Sequence, residues 1–130
     1  MHIAIVGAGL SGLSYASTLL AFGHTVTVFD SSKDIGGVWS SDRHYPGLKA
    51  QSTGATYAFS TLPMPKDYPL QPEAWQMQAY LEEYARANAL DKEDRLRLGT
   101  EVVKATPHEH GWVLEVCVGL ADSTSGLLMI

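Results

Sequence analysis

The chain has 130 residues and a net charge of −5, a size that predicts one domain over residues 1–130 and argues against a two-domain enzyme. Its apolar (45%) and charged (18%) fractions exclude a disordered chain, and its scattered Lys and Arg residues argue against nucleic-acid binding. The lone Cys117, and an N-terminal stretch without a basic start, favour a cytoplasmic protein with no leader and no membrane span.

A strand, a helix and a second strand are predicted within the first thirty residues. Residues 2–6 (HIAIV) form a β-branched apolar run, which is typical of a buried strand. Apolar residues at helical spacing predict a helix over residues 10–22, with Gly23 ending it. TVTVF at 25–29 predicts the second strand, so that the three elements make a βαβ unit.

From residue 31 to 71 the periodicity disappears, but five aromatic residues indicate that this long segment packs on the core. A helix is then predicted over residues 72–89, with Pro72 as its first residue.

The C-terminal part of the sequence predicts strands. RLRLG and TEVVKAT each predict a strand, and HEHG predicts a turn that leads to WVLEVCV, the second strand of a hairpin. ADSTSG (121–126) reads as a loop and LLMI (127–130) as a short buried strand. The predicted class is α/β, with a small, mostly parallel sheet and a C-terminal β-hairpin.

Between the first strand and the helix lies GAGLSG, the spacing G-x-G-x-x-G. Gly7 allows a sharp turn, Gly9 lets a phosphate approach the backbone, and Gly12 lets the helix pack closely on the sheet. The unpaired N–H groups that open the helix attract an anion. Asp30 ends the second strand, where a carboxylate can bind a ribose diol and disfavours a 2′-phosphate. This context predicts a dinucleotide site, without distinguishing FAD from NAD.

The segment DIGGVWSSDRHYPGLKAQ resembles the flavin-containing monooxygenases and the related Baeyer–Villiger enzymes, which carry a GGxW stretch followed by a YPG-type turn. The likeness continues through FSTLPMPKDYP, AYLEEYA and LGTEVV to GWVLEV, and so covers about residues 2–118. It implies a truncated Rossmann-like FAD-binding domain in which the motif glycines and Asp30 face FAD. It also implies that Gly37 and Trp39 lie along the flavin and Val102 near the adenine. From its chemistry alone, Trp39 could equally anchor the long segment in the core.

The sequence departs from that family's pattern at two points, and both limit what the resemblance implies about activity. The chain has no second glycine-rich unit for NADPH, and Gln51, which cannot act as a base, follows the YPG turn where many relatives place Asp or Asn. Three functions stay open. The first is a flavin-monooxygenase-like protein acting on a small organic metabolite, helped by dimerisation or a partner subunit. The second is a non-redox cyclase or Diels–Alder-type enzyme on the same scaffold, with FAD lost. The third is a non-enzymatic FAD-binding module or inactive remnant.

No catalytic residue is assigned from the sequence. His44, next to Tyr45, is a candidate acid–base group, although a lone histidine in a loop is more often a surface residue. His108-Glu109-His110 lies in a predicted turn with no third ligand at a useful spacing, so no metal site is expected there.

Overall fold

The first thirty residues form the predicted βαβ unit. In the computed structural model, which describes residues 1–119 and 124–130, strand β1 spans His2–Val6, helix α1 Leu10–Ala21 and strand β2 Thr25–Phe29. The two strands pair in parallel, with Ile3 opposite Val26. Gly23 follows α1 at φ +80°, a left-handed conformation that favours glycine, and its N–H donates to the carbonyl oxygen of Leu20 at 2.9 Å. Its predicted place at the end of the helix is confirmed.

The segment that follows β2 has little regular structure, yet it packs on the core. Two 3₁₀ turns lie at Gly37–Trp39 and Ser41–Arg43, and the one-turn helix α2 spans Gly54–Tyr57. Ile35, Trp39 and Ala50 are buried in the cluster that also holds the apolar faces of α1 and β2. The prediction that this segment packs is confirmed, with Tyr45, which is 63% exposed, as an exception among its aromatic residues.

Helix α3 spans Ala74–Ala87 and packs beside α1. Its N-cap is Glu73, whose backbone N–H donates to the side-chain oxygen of Gln76 at 2.9 Å, as in a capping box. Pro72 therefore lies before the cap, and its prediction as the first helical residue is wrong because this Glu–Gln pair sets the start of the helix. The hydroxyls of Ser17 and Tyr84 form a buried hydrogen bond of 2.5 Å between α1 and α3.

The C-terminal third adds one strand to the parallel sheet and builds a second, antiparallel sheet. Strand β3 (Leu96–Arg97) pairs in parallel with β2, and strands β4 (Thr100–His108), β5 (Gly111–Val118) and β6 (Thr124–Met129) pair in that order. The small parallel sheet and the hairpin are confirmed, and β6 extends the hairpin.

The predicted tail is only partly correct. Residues 121–123 of the expected loop lie outside the described residues, whereas residues 124–126 belong to β6 rather than to a loop. LLMI contributes to a strand as expected, but Leu127 is 76% exposed. It lies opposite Glu115 in the register, on the face of the sheet that carries charged side chains, so its predicted burial is wrong.

Packing between the two sheets brings β4 to the carboxyl end of β2. Phe29, Leu114 and Val116 form a buried cluster, with Val102 packed against it. The backbone N–H of Thr100 donates to the carbonyl oxygen of Asp30 at 2.8 Å. The start of β4 therefore forms a wall beside the end of β2.

Asp34 ties the segment after β2 to the second 3₁₀ turn and makes part of the stability depend on pH. Its Oδ2 accepts hydrogen bonds from the N–H of Ser41, at 3.3 Å, and from the Ser41 hydroxyl. Burial by itself would raise the pKa of the Asp34 carboxyl, but the hydrogen bonds from Ser41, together with the charge of Lys33, outweigh it and hold that pKa below the usual 3.8.

Because this pKa is lower in the folded than in the unfolded chain, ionised Asp34 stabilises the fold above the unfolded value, and the stabilisation is lost as the pH falls through the folded value. We expect Asp34→Asn to unfold at lower urea than the unchanged chain at about pH 6, and the difference to shrink towards about pH 2. Urea titrations followed by circular dichroism at both pH values check this. A difference that is the same at both would show that Asp34 acts without its charge.

Candidate functional site

The turn between β1 and α1 has a backbone that requires glycine at two positions. Gly7 has φ +105°, and its N–H donates to the carbonyl oxygen of Phe29 at 2.7 Å, which ties the turn to the end of β2. At Gly12, an alanine Cβ would overlap the carbonyl oxygen of Gly7 and lie 3.0 Å from its carbonyl carbon. The missing side chain of Gly12 therefore lets α1 lie directly against the turn.

Gly9 and Gly37 touch across the same turn. A Cβ on Gly37 would lie 3.0 Å from the Cα of Gly9, and a Cβ on Gly9 would lie 3.4 Å from the Cα of Gly37. Gly37 has φ +62°, and the N–H of its neighbour Gly36 donates to the carbonyl oxygen of Ala8 at 3.0 Å. Gly36 and Gly37 thus lie against the glycine turn, although α1 and β2 separate them from it in the sequence.

The amino end of α1 presents donors to this region. Gly9 is the N-cap and provides no side-chain hydrogen bond, and the first turn of the helix contains no acidic residue. The first N–H groups of a helix have no partner within the helix, and the aligned peptide dipoles place about half a positive charge there. This end of α1 is therefore suited to a phosphate group.

Asp30 is held rigidly at the end of β2. Its Oδ2 accepts the N–H of Ala8 at 2.6 Å and its Oδ1 accepts the N–H of Ser32 at 2.8 Å. A carboxylate has about four lone-pair positions, so two hydrogen bonds leave acceptor capacity on both oxygens. Asp30 can therefore orient the glycine turn and still accept hydrogen bonds from a diol.

These parts surround one open cleft of about 390 Å³. Its lining residues are Val6, Gly7, Gly9, Phe29, Asp30, Ser31, Gly37, Arg43, Thr100, Glu101 and Val102. Five of the seven residues chosen from the sequence thus line the same cleft. Gly12 lies beneath it, against Gly7.

Trp39, the seventh, is not among the residues that line the cleft. It is only 8% exposed, belongs to the main core cluster and packs edge to face against Tyr57, with ring centroids 6.1 Å apart. Its burial agrees with the interpretation of Trp39 as an anchor of the long segment, and its contact with a flavin stays a prediction.

The sequence-based set lacks six residues that line the cleft: Val6, Phe29, Ser31, Arg43, Thr100 and Glu101. Glu101 and Thr100 directly precede Val102, so the strand prediction around Val102 could have included them. Arg43 lies four residues after Trp39. It reaches the cleft only through the fold of a loop whose sequence has no periodicity, so no pattern predicts it. A second cavity of about 390 Å³ shares Ser31 and Glu101 with the lining of the cleft.

The other candidates lie away from the cleft. The Nε2–H of His44 donates to the carbonyl oxygen of Trp39 at 2.7 Å, and His44 lines a separate hollow together with Tyr45 and Trp75. Gln51 is exposed, and its backbone carbonyl accepts the side-chain amide of Gln71 at 3.1 Å. A larger open hollow of about 630 Å³ next to α2 has no acidic or basic residue among its described lining.

Neither a metal cluster nor a membrane-spanning helix occurs in the part of the chain that the structure describes. Within residues 1–119 and 124–130, no group of three or more His, Cys, Asp or Glu residues could hold a metal ion. Over the same residues, no helix is long and apolar enough to cross a membrane.

Comparisons with known proteins point to one group. The sequence matches the family model of the NAD(P)-binding Rossmann-like domain over residues 5–81. It is 33% identical over 120 residues to an FAD-dependent monooxygenase of Fusarium langsethiae, covering 88% of this chain and 20% of that protein. It is 35% identical over 113 residues to flavin-containing monooxygenase 1 of Canis lupus familiaris, covering 81% and 21%.

The fold matches solved oxygenases. The structure of S-allyl-L-cysteine S-oxygenase from Allium sativum superposes with a TM-score of 0.83 at 25% identity, covering 98% of this chain and 34% of that one. These relatives confirm the resemblance carried by GGVW and YPG, and none of those named here is a cyclase. The chain spans about a fifth of the length of the two curated relatives.

Proposed function

We propose that this chain, which belongs to the NAD(P)-binding Rossmann-like domain family, binds FAD in the cleft between the glycine turn and β4. The observation that carries the proposal is the contact of Gly9 with Gly37, because it leaves bare backbone facing the cleft at the amino end of α1. A side chain at Gly37, or one larger than alanine at Gly9, would meet the backbone of the other glycine and displace the segments that line the cleft.

The residues of the cleft fit the adenosine diphosphate half of FAD. The N–H groups at the start of α1 would receive the diphosphate, and the rigid carboxylate of Asp30 would accept hydrogen bonds from the ribose hydroxyls. The adjoining cavity provides room beyond the ribose, next to Ser31 and Glu101. When bound, the flavin supplies the redox chemistry of an oxygenation, while these residues bind and orient the dinucleotide.

The activity that we propose for the longer architecture is oxygenation of a small organic molecule, with this chain as its FAD-binding part. The names of the relatives support this activity, and their greater length leaves room for a unit that binds NADPH. In this proposal, a partner subunit, a second copy or further polypeptide supplies that unit, and the chain by itself does not couple NADPH oxidation to oxygenation.

Ligand titrations test the proposal. We expect the purified chain to bind FAD, seen as quenching of flavin fluorescence, and ADP-ribose to compete because it contains the half of FAD that the cleft fits. FMN, which lacks that half, should bind far more weakly. NADP⁺ should compete poorly, since the Asp30 carboxylate repels a 2′-phosphate.

Two outcomes would contradict the proposal. One is the absence of FAD binding by a folded protein. The other is equal affinity for FAD and FMN without competition from ADP-ribose, which would mean that the flavin is held somewhere other than the glycine turn.

A further inference from the structure

Arg43 lies in the cleft on a backbone segment that is fixed relative to the glycine turn. Its N–H donates to the carbonyl oxygen of Ser40 at 2.9 Å, and the Ser40 hydroxyl donates to Oδ1 of Asp42 at 2.7 Å. The 3₁₀ turn that carries Arg43 follows directly after the one that begins at Gly37, the residue in contact with Gly9. The position of the Arg43 backbone is therefore set by the same packing that forms the cleft.

The charges of the cleft leave Arg43 without an internal partner. The ionisable side chains of its lining are two carboxylates, Asp30 and Glu101, and one guanidinium, that of Arg43. The ion pairs found among the described residues are Arg86–Glu83, Arg95–Glu93 and Lys104–Glu115, and none of them includes Arg43. The guanidinium is thus exposed and available to a ligand.

A diphosphate that enters this cleft meets two carboxylates of its own sign. The amino end of α1 offsets only about half a charge, so the diphosphate would bind against a net repulsion without a further cation. A guanidinium presents paired N–H donors that match two phosphate oxygens. Arg43 is the one side chain of the described lining that provides such a group.

We infer that Arg43 binds the diphosphate of the dinucleotide, and that it makes the cleft selective for diphosphate-bridged ligands over nucleosides. This inference rests on the proposed function, since it assigns a further binding residue to the same ligand. It differs from a structural role, in which Arg43 would only stabilise the 3₁₀ turn through its backbone.

The experiment compares Arg43→Gln and Arg43→Lys with the unchanged chain by FAD titration at several salt concentrations. Arg86→Gln is the matched control, because Arg86 is also an exposed arginine but pairs with Glu83 on α3 and does not line the cleft. We expect Arg43→Gln to weaken FAD binding by about 10- to 100-fold, the loss typical of a charged hydrogen bond. Arg43→Lys should lose less, and the affinity of Arg43→Gln should depend less on salt than that of the unchanged chain.

The outcomes separate this inference from the proposed function. If the unchanged chain binds no FAD, the proposed function fails and the role of Arg43 falls with it. If the unchanged chain binds FAD and Arg43→Gln binds it within about twofold, the inference alone is overturned. It is also overturned if Arg43→Gln loses affinity with an unaltered salt dependence and a lower urea midpoint, because that pattern reports damage to the 3₁₀ turn.

Discussion

Replacing Gly12 with alanine is expected to leave little folded protein. The added methyl group would overlap the carbonyl oxygen of Gly7, and the obstacle is backbone rather than the end of a flexible side chain. Relief requires α1 to move away from β1, which would open the main core where Leu13 and Ala16 are fully buried. We expect a loss of at least about 3 kcal/mol in the free energy of unfolding, beyond the usual cost of overpacking.

Urea denaturation followed by far-ultraviolet circular dichroism measures this loss. The control is Gly126→Ala in β6, where the new Cβ would lie 3.6 Å from a methyl group of Val116, an ordinary contact. The control should unfold within about 0.5 kcal/mol of the unchanged chain. A Gly12→Ala protein as stable as this control would mean that α1 does not lie against the turn as described.

Replacing Gly9 with leucine is expected to abolish FAD binding. The side chain would start 3.4 Å from the Cα of Gly37, so its remaining atoms must either fill the cleft that both glycines line, where we place the diphosphate, or push the two segments apart. Exclusion of the diphosphate removes the contacts with the N–H groups of α1. We expect the affinity for FAD to fall by at least about 100-fold, equivalent to about 2.7 kcal/mol.

Gly9→Ala separates blocked binding from damaged folding. A single methyl group at 3.4 Å from Gly37 is tolerated, so this variant should keep a urea midpoint close to that of the unchanged chain and lose less affinity than Gly9→Leu. Fluorescence titration with FAD gives the affinities of both variants. Retention of FAD affinity by a folded Gly9→Leu protein would show that the diphosphate does not approach this turn.

The local part of the fold could be predicted from the sequence. The βαβ unit, the end of α1 at Gly23 and the position of Asp30 after β2 depend on neighbouring residues, whose periodicity and turn chemistry are visible in the chain. The start of α3 differs from the prediction for a local reason too, because its capping box has Glu73 at the N-cap, where Ser or Thr is usual.

The rest of the candidate site depends on contacts between distant segments. Arg43 and Glu101 reach the cleft because a loop without periodicity folds against Gly9 and because β4 packs beside the end of β2. Neither event leaves a repeating pattern in the sequence. The burial of Trp39 cannot be predicted from the sequence either, since a tryptophan in such a loop suits a cofactor contact and a core contact alike. Its packing on Tyr57 joins residues that are distant in the chain.

The contact between Gly9 and Gly37 also bears on how the sequence can change over time. A side chain at Gly37, or one larger than alanine at Gly9, claims the same small volume, so the first such substitution forces the two segments apart and a second finds that space already open. The loss of unfolding free energy in the double variant should therefore be smaller than the sum of the losses in the two single variants, since residues in direct contact are usually not additive. Selection for an intact cleft would then act on the two glycines as a single unit, and a lineage that lost one would have little reason to retain the other.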